Sequence, residues 1–200
     1  EPFYNYENVA NTVSVLTDSD GLSLSKRRVT ISTSGLVPEI LRMSKELQTA
    51  LAISLHAPND KLRDELVPIN RKYPIAELMQ ACRDYVSEKH KRSVTFEYTL
   101  IDGVNDHPEH ARKLVKLLRT VPSKLNLIPF NPFPGTRYRC SNPERIAEFQ
   151  EIVMQGGLIA TVRKTRGEDI AAACGQLAGK VKDRTRRSER IKLRMAETTS

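Results

Sequence analysis

Tryptophan is absent from the 200 residues, aromatic side chains make up only 6%, and cysteine occurs three times. Cys82, Cys140 and Cys174 stand far apart, so the sequence offers neither a disulfide framework nor a local zinc knuckle. No apolar run approaches the roughly 18–20 residues that a membrane span needs, which predicts a soluble chain with no membrane partner. Neither common type of glycine-rich phosphate loop is present, and no Ser–His–Asp order stands out. No signal or transit pattern leads into Glu1, and no internal repeat or low-complexity stretch is visible. What is there suits one folded domain: 39% hydrophobic positions against 28% charged ones supply a core and argue against a disordered chain.

The charge is basic and unevenly placed. Lys and Arg number 32 against 24 acids, a net +8, and the segment 180–200 holds eight bases against three acids. Such an arm tracks phosphates by releasing condensed counterions, or it is a solvated, partly helical tail. Two further basic patches, Lys26-Arg27-Arg28 and Arg163-Lys164-Thr165-Arg166, favour nucleic acid as the partner. The organisation expected is a domain over 1–179 followed by a basic arm over 180–200.

Short apolar and β-branched runs at Arg28–Ile31, Ala50–Ile53, Val94–Leu100, Lys124–Ile128 and Ala160–Arg163 read as buried parallel strands. Helical periodicity covers Pro38–Leu47, Ile75–Val86 and Pro108–Leu118, and Asn142-Pro143 opens another helix with Asn142 as its cap. Asp169–Ala178 reads as a closing helix. Strand and helix alternate, which predicts an α/β fold amounting to most of a β/α barrel.

The segments after the strands carry the functional signal. Ser32-Thr33-Ser34-Gly35, Ser54 through Asp60, Asp102 through Asp106, and Asn131 through Gly135 each follow a strand. In a barrel such positions share one mouth, where ligands bind. Each segment alone also fits turn and cap chemistry, with Ser34, Asn59 or Asp60 as caps and Asn131-Pro132 as a turn. Taken together they indicate a ligand site. His56 directly follows a strand and is the better site candidate among the histidines, through either its ring or its backbone. His107 and His110 stand three apart like metal ligands, but they flank a helix start and read as polar decoration there. Cys82 lies on an apolar helix face and Cys140 in a loop. Cys174 sits among small residues after a basic patch, as a nucleophilic thiol would. A buried small hydrophobe is the ordinary fate of a lone cysteine.

Four motifs go further than these patterns. Leu24 through Gly35, Ala52-Ile53-Ser54-Leu55-His56-Ala57-Pro58-Asn59-Asp60, Asn126 through Gly135, and Val162-Arg163-Lys164-Thr165-Arg166-Gly167 with Cys174-Gly175-Gln176-Leu177 follow one another along nearly the whole chain. Together they closely resemble the RlmN family, radical S-adenosylmethionine methyltransferases of RNA adenine C2.

The resemblance implies a radical SAM type of partial barrel in a cytoplasmic enzyme using S-adenosylmethionine and a 4Fe–4S cluster. Its partners would be 23S rRNA, tRNA and a low-potential electron donor such as flavodoxin or ferredoxin. Glu1-Pro2 looks like the end of a Gly-Glu-Pro motif whose Glu holds the methionine amino group. Ser32, Ser54, Leu55, His56 and Asn131 match positions lining the cofactor pocket. Cys174 matches the cysteine that becomes S-methylated and carries the methyl carbon to the base; in the family, a 5′-deoxyadenosyl radical then activates that carrier. Arg163, Lys164, Arg166, Arg186, Arg187 and Arg190 would face RNA.

The family's C-x₃-C-x₂-C cluster loop and its resolving cysteine fall upstream of Gly-Glu-Pro, and Cys82 and Cys140 do not replace them by spacing. The expectation is therefore a C-terminal fragment of a longer enzyme, with no metal ligands of its own and no turnover by itself. A Cfr-like enzyme methylating adenine C8 and a non-catalytic RNA-binding remnant are the rival readings.

Overall fold

The computed structural model describes residues 1–87, 93–133 and 135–163. Its architecture is clearest in the central strand β3 (Val94–Leu100), where burial alternates strictly along the chain. Val94, Phe96, Tyr98 and Leu100 are fully buried, whereas Thr95, Glu97 and Thr99 between them are half-buried. A pleated strand sends successive side chains to opposite faces, so β3 has one apolar face and one polar face.

The same division runs across the neighbouring strands. β1 (Thr30–Thr33), β2 (Ala50–Ser54), β4 (Ser123–Pro129) and β5 (Ile159–Val162) join β3 in one parallel sheet, in the order β1-β2-β3-β4-β5. Strand order that follows the chain is what successive βα units produce as a sheet curls towards a barrel; a doubly wound sheet would reverse its order. The register places Ser32 beside Ala52 in one row and Ser54 beside Glu97 beside Asn126 in the next row of the same face, two residues further along the strands.

Helices cover the other face. They are α1 (Tyr6–Thr17), α2 (Val37–Glu46), α3 (Asp60–Leu66), α4 (Ile75–Val86), α5 (Pro108–Leu118) and α6 (Pro143–Gln155). α2 contributes Ile40 and Met43 to the core, α4 contributes Leu78 and Cys82, and α5 contributes Leu114 and Leu118, all fully buried. On α6, Phe149 packs against Tyr98 with ring centroids 5.3 Å apart, and the Tyr98 hydroxyl donates to the Asn105 carbonyl at 2.8 Å. The aromatic pair thus buries its area without stranding the phenol. Asn142 caps α6 by accepting from the Arg145 amide at 2.7 Å, as the Asn-Pro signal predicts.

The alternation and the partial α/β barrel agree with the sequence reading, with two differences. β1 lies two residues later than the predicted Arg28–Ile31, because Lys26–Arg28 form a 3-10 turn ahead of it. α1 and α3 are helices that the periodicity did not predict. The closing helix over Asp169–Ala178, the division at 179/180 and the basic arm lie outside the described residues. Among the described residues no helix is long and apolar enough to cross a membrane.

Candidate functional site

Three adjacent strands bring the first group of polar side chains together. Glu97, in the middle of β3, accepts from the Ser32 hydroxyl at 2.9 Å and more weakly from the Ser54 hydroxyl at 3.5 Å. Ser32 and Ser54 were expected to line a ligand pocket. The carboxylate that joins them was not, although a charged residue inside a strand flanked on both sides was a usable signal. Parallel strands of this kind read as continuous apolar runs, and an acid there is exceptional.

Beyond the end of β1, the chain turns through Ser34 and Gly35. The Glu1 carboxylate reaches this turn: it accepts from the Thr33 hydroxyl at 3.0 Å and from the Ser34 amide and hydroxyl at 2.6 Å each. Ser34 is therefore occupied by Glu1 and does not cap α2, whose cap position is Leu36. Gly35 has φ +114, a conformation that glycine adopts without strain, and a Cβ there would lie 3.3 Å from an Arg63 guanidinium nitrogen.

Arg63 is the largest fully buried side chain among the described residues. Its Nε donates to the Leu55 carbonyl at 3.2 Å, and Nη2 donates to the carbonyls of Ser34 at 2.6 Å and Ser54 at 3.1 Å. Nη1 donates to Asn70 Oδ1 at 2.9 Å, and the Asn70 amide in turn donates to Asp60 and Asp64. The two acids thus offset the buried cation through an intervening amide. Desolvation pushes the guanidinium down to about 10, with Asp60 opposing it, and the group stays charged at neutral pH. One side chain ties the β1 turn to the β2 turn. The short helix α3 that carries it is capped by Asn59, which accepts from Leu62 at 3.0 Å, one of the two cap candidates in the sequence.

The β2 turn shows what its residues contribute. Leu55 buries its side chain completely, so it meets a ligand site only through its backbone, where its amide donates to the Glu97 backbone carbonyl and its own carbonyl accepts from Arg63. His56 is a non-glycine residue at φ +58. Its Nδ1 accepts the Thr99 amide at 3.0 Å, which assigns the ring proton to Nε2, and its carbonyl accepts from Asn105 at 2.8 Å. The ring therefore locks the turn to β3. Asn131 follows β4 and is half-buried. Arg163 is exposed just past β5, at this same end of the sheet, and its amide donates to the Leu127 carbonyl at 2.8 Å. Cys174, Lys164, Arg166, Arg186, Arg187 and Arg190 lie outside the described residues.

Burial, with the Arg63 cation adding to it, pulls the His56 imidazole down to about 4. The folded state then stays neutral while the unfolded chain protonates near 6.5, so the unfolded state binds more protons between those values. Stability should fall as pH drops through that window, by roughly 2–3 kcal/mol from this group. Urea unfolding of the chain between pH 7 and pH 4 checks this. His56→Asn tolerates the left-handed backbone and keeps an acceptor, and its profile should be flatter by that amount. Identical profiles for the two proteins would rule the linkage out.

His107 and His110 stand at the start of α5 with ring centroids 5.7 Å apart, and among the described residues no group of three candidate ligands could hold a metal ion. Cys82 is fully buried on α4, its thiol pushed up to about 12 by burial, while Cys140 is exposed.

Comparison with known proteins fits this arrangement. The radical SAM superfamily model matches residues 1–115, from Glu1 through most of α5. The chain is 56% identical over 191 residues to the dual-specificity RNA methyltransferase RlmN of Alkalilimnicola ehrlichii, covering 96% of this chain and 53% of that protein. A radical SAM methyltransferase from Sphaerobacter thermophilus superposes with a TM-score of 0.83 at 53% identity, over 88% of this chain and 52% of that one. A domain of a pyruvate-formate lyase-activating enzyme from Bacteroides vulgatus shares the fold alone, with a TM-score of 0.60 at 16% identity, over 82% of this chain and 94% of that one. The chain thus spans about half the length of the methyltransferases it matches. With its partly curled parallel sheet, polar strand ends and family match, the chain belongs to the radical SAM superfamily.

Proposed function

We propose that this chain is the S-adenosylmethionine-binding and methyl-carrying portion of an RNA methyltransferase that modifies C2 of adenine in 23S rRNA and in tRNA. The observation that carries the reading is the set of acid and hydroxyl groups that β1, β2, β3 and the β1 turn bring together, in a chain 56% identical to an RlmN.

The donor set suits the ligand. S-adenosylmethionine brings an ammonium, a sulfonium and ribose hydroxyls, and when bound it supplies an electrophilic methyl group. Glu1 and Glu97 offer carboxylates to the cationic groups, and Ser32, Ser34 and Ser54 offer hydroxyls that both donate and accept. In this reading Glu1 takes the methionine ammonium, while Arg63 and His56 hold the turns that shape the pocket. Asn131 closes its β4 side. The described residues do not suit a 4Fe–4S cluster, since Cys82 is buried in the core and no group of three candidate ligands is found among them.

Cys174 is proposed as the thiol that carries the methyl group. RNA would lie across Arg163 and the basic residues after it, Lys164, Arg166, Arg186, Arg187 and Arg190, and a flavodoxin or ferredoxin would supply electrons. The holoenzyme, incubated anaerobically with reductant, S-adenosylmethionine and RNA, should yield 2-methyladenosine after digestion to nucleosides. Cys174→Ser should reduce the yield to background. Finding 8-methyladenosine without 2-methyladenosine would move the reaction to C8, and RNA binding without any methylated nucleoside would leave a non-catalytic RNA-binding module.

A further inference from the structure

At the opposite, N-terminal end of the strands lies a second cleft, with a volume of about 590 Å³. Thr30 and Ala50 begin β1 and β2 there, and Thr95 and Lys124 are register partners near the starts of β3 and β4. Lys26 and Arg27 border it from the 3-10 turn ahead of β1. Lys124 comes from a strand three places across the sheet from β1, yet it lines the same cleft as Lys26 and Arg27. Among the described residues no carboxylate lines this space. None of the three cations makes an ion pair with a described acid within 4.0 Å.

Two features set this cleft apart from a solvated basic surface. Thr49 lines it and is almost completely buried, and its hydroxyl oxygen, closed to solvent behind the wall, has no hydrogen-bond partner among the described residues. Buried hydroxyls are normally paired, so one without a described partner, behind a wall whose three cations pair with no described acid, marks incomplete satisfaction there. Gln48 also borders the cleft and is held at φ +58, where it follows α2 with its amide bonded to the Met43 carbonyl. Glycine would be the ordinary residue at such a helix end; here the position keeps a polar side chain at the cleft.

We propose that this cleft binds the phosphate group of a ribonucleotide. A phosphate presents several strong acceptors and at least one negative charge. It matches a planar guanidinium from Arg27, point charges from Lys26 and Lys124, and neighbouring hydroxyls such as Thr95. A carboxylate ligand would satisfy fewer of these donors, and an apolar one none. The phosphate comes either from a free nucleotide or from the backbone of RNA.

The test uses the full chain and three probes: inorganic phosphate, adenosine monophosphate and a short fluorescent oligouridylate. The variant combines Lys26→Gln, Arg27→Gln and Lys124→Gln. A charge-matched control combines Lys61→Gln, Lys72→Gln and Arg112→Gln, all exposed and away from the cleft. The cleft variant should weaken probe binding at least about tenfold at low salt. It should also make the slope of log K against log salt shallower by roughly 0.7 for each phosphate it no longer neutralises, with the control within about twofold of the parent. Competition by phosphate and adenosine monophosphate identifies a free nucleotide as the source; oligouridylate binding that neither competes away identifies the RNA backbone. Equal behaviour of the cleft variant and the control overturns the proposal. Circular dichroism confirms folding, and the single Lys124→Gln variant replaces the triple one if that fails. No methyl transfer enters the readout, so the cleft stands or falls separately from the activity proposed above.

Discussion

Arg63→Met is expected to cost about 3–5 kcal/mol of stability, the range for breaking one side of a buried ionic network. The side chain is fully buried, so methionine fills much of its volume and the loss comes from polar groups rather than from a cavity. Three carbonyls, those of Ser34, Ser54 and Leu55, lose their guanidinium donor. Each stranded acceptor costs about 1–3 kcal/mol, less whatever water recovers. Asn70 loses its Nη1 donor as well, and Asp60 and Asp64 lose the cation they offset. Arg63→Lys should recover little, since one ammonium cannot reproduce donors fanned over three carbonyls and an amide.

Urea unfolding of the chain measures the loss, and Arg71→Met, an exposed change on the neighbouring turn, should stay within about 0.5 kcal/mol of the parent. Hydrogen exchange should also show faster exchange at the turns after β1 and β2. A loss below about 1 kcal/mol for Arg63→Met would mean that the turns are held by their own hydrogen bonds. Gly35→Ala tests the same junction from the other side, because the new methyl would crowd both Leu78 and the guanidinium from a strained backbone.

Arg63 also shows where sequence reading reaches its limit. α4 and α5 match their predicted boundaries, and β3 does too, because each buries enough apolar residues to impose one period over ten or more residues, or over a strict alternation. α3 has seven residues, and its one buried side chain is the arginine itself. A charged residue on so short a segment carries no periodic signal, and its burial depends on Asn70, Asp60 and carbonyls from two distant strands. α1 escaped for a different reason. Its buried Tyr6 and Val13 alternate with the exposed Val15 and several β-branched or polar residues, which blur the helical stripe. The hydroxyl groups of the candidate site were legible as strand-end polarity at Ser32 and Ser54. Leu55 and His56 were legible only as positions: the buried leucine side chain and the ring bonded to Thr99 follow from packing between β2 and β3. Glu97 was passed over because Val-Thr-Phe-Glu-Tyr-Thr-Leu reads as a strand from its alternation alone, although the charge at its fourth place was the signal that set it apart.

Glu97→Gln is the sharpest probe of the proposed ligand. Glutamine keeps the side chain's size and one acceptor for the Ser32 hydroxyl, so folding stability should change by less than about 1 kcal/mol. What it removes is the negative charge. Opposite unit charges about 5 Å apart in a partly screened site attract by a few kcal/mol, part of which is spent on desolvation. The affinity for S-adenosylmethionine should therefore fall about 10- to 100-fold, or about 1.4–2.7 kcal/mol. Isothermal titration of the parent and the variant with two ligands then locates the charge that Glu97 meets. S-adenosylhomocysteine keeps the ammonium and lacks the sulfonium. If Glu97 faces the sulfonium, the variant should weaken S-adenosylmethionine much more than S-adenosylhomocysteine; if it faces the ammonium, both should weaken alike. Affinity for S-adenosylmethionine within about twofold of the parent would remove Glu97 from the pocket. Its bonds to Ser32 and Ser54 would then be ties between strands and nothing more.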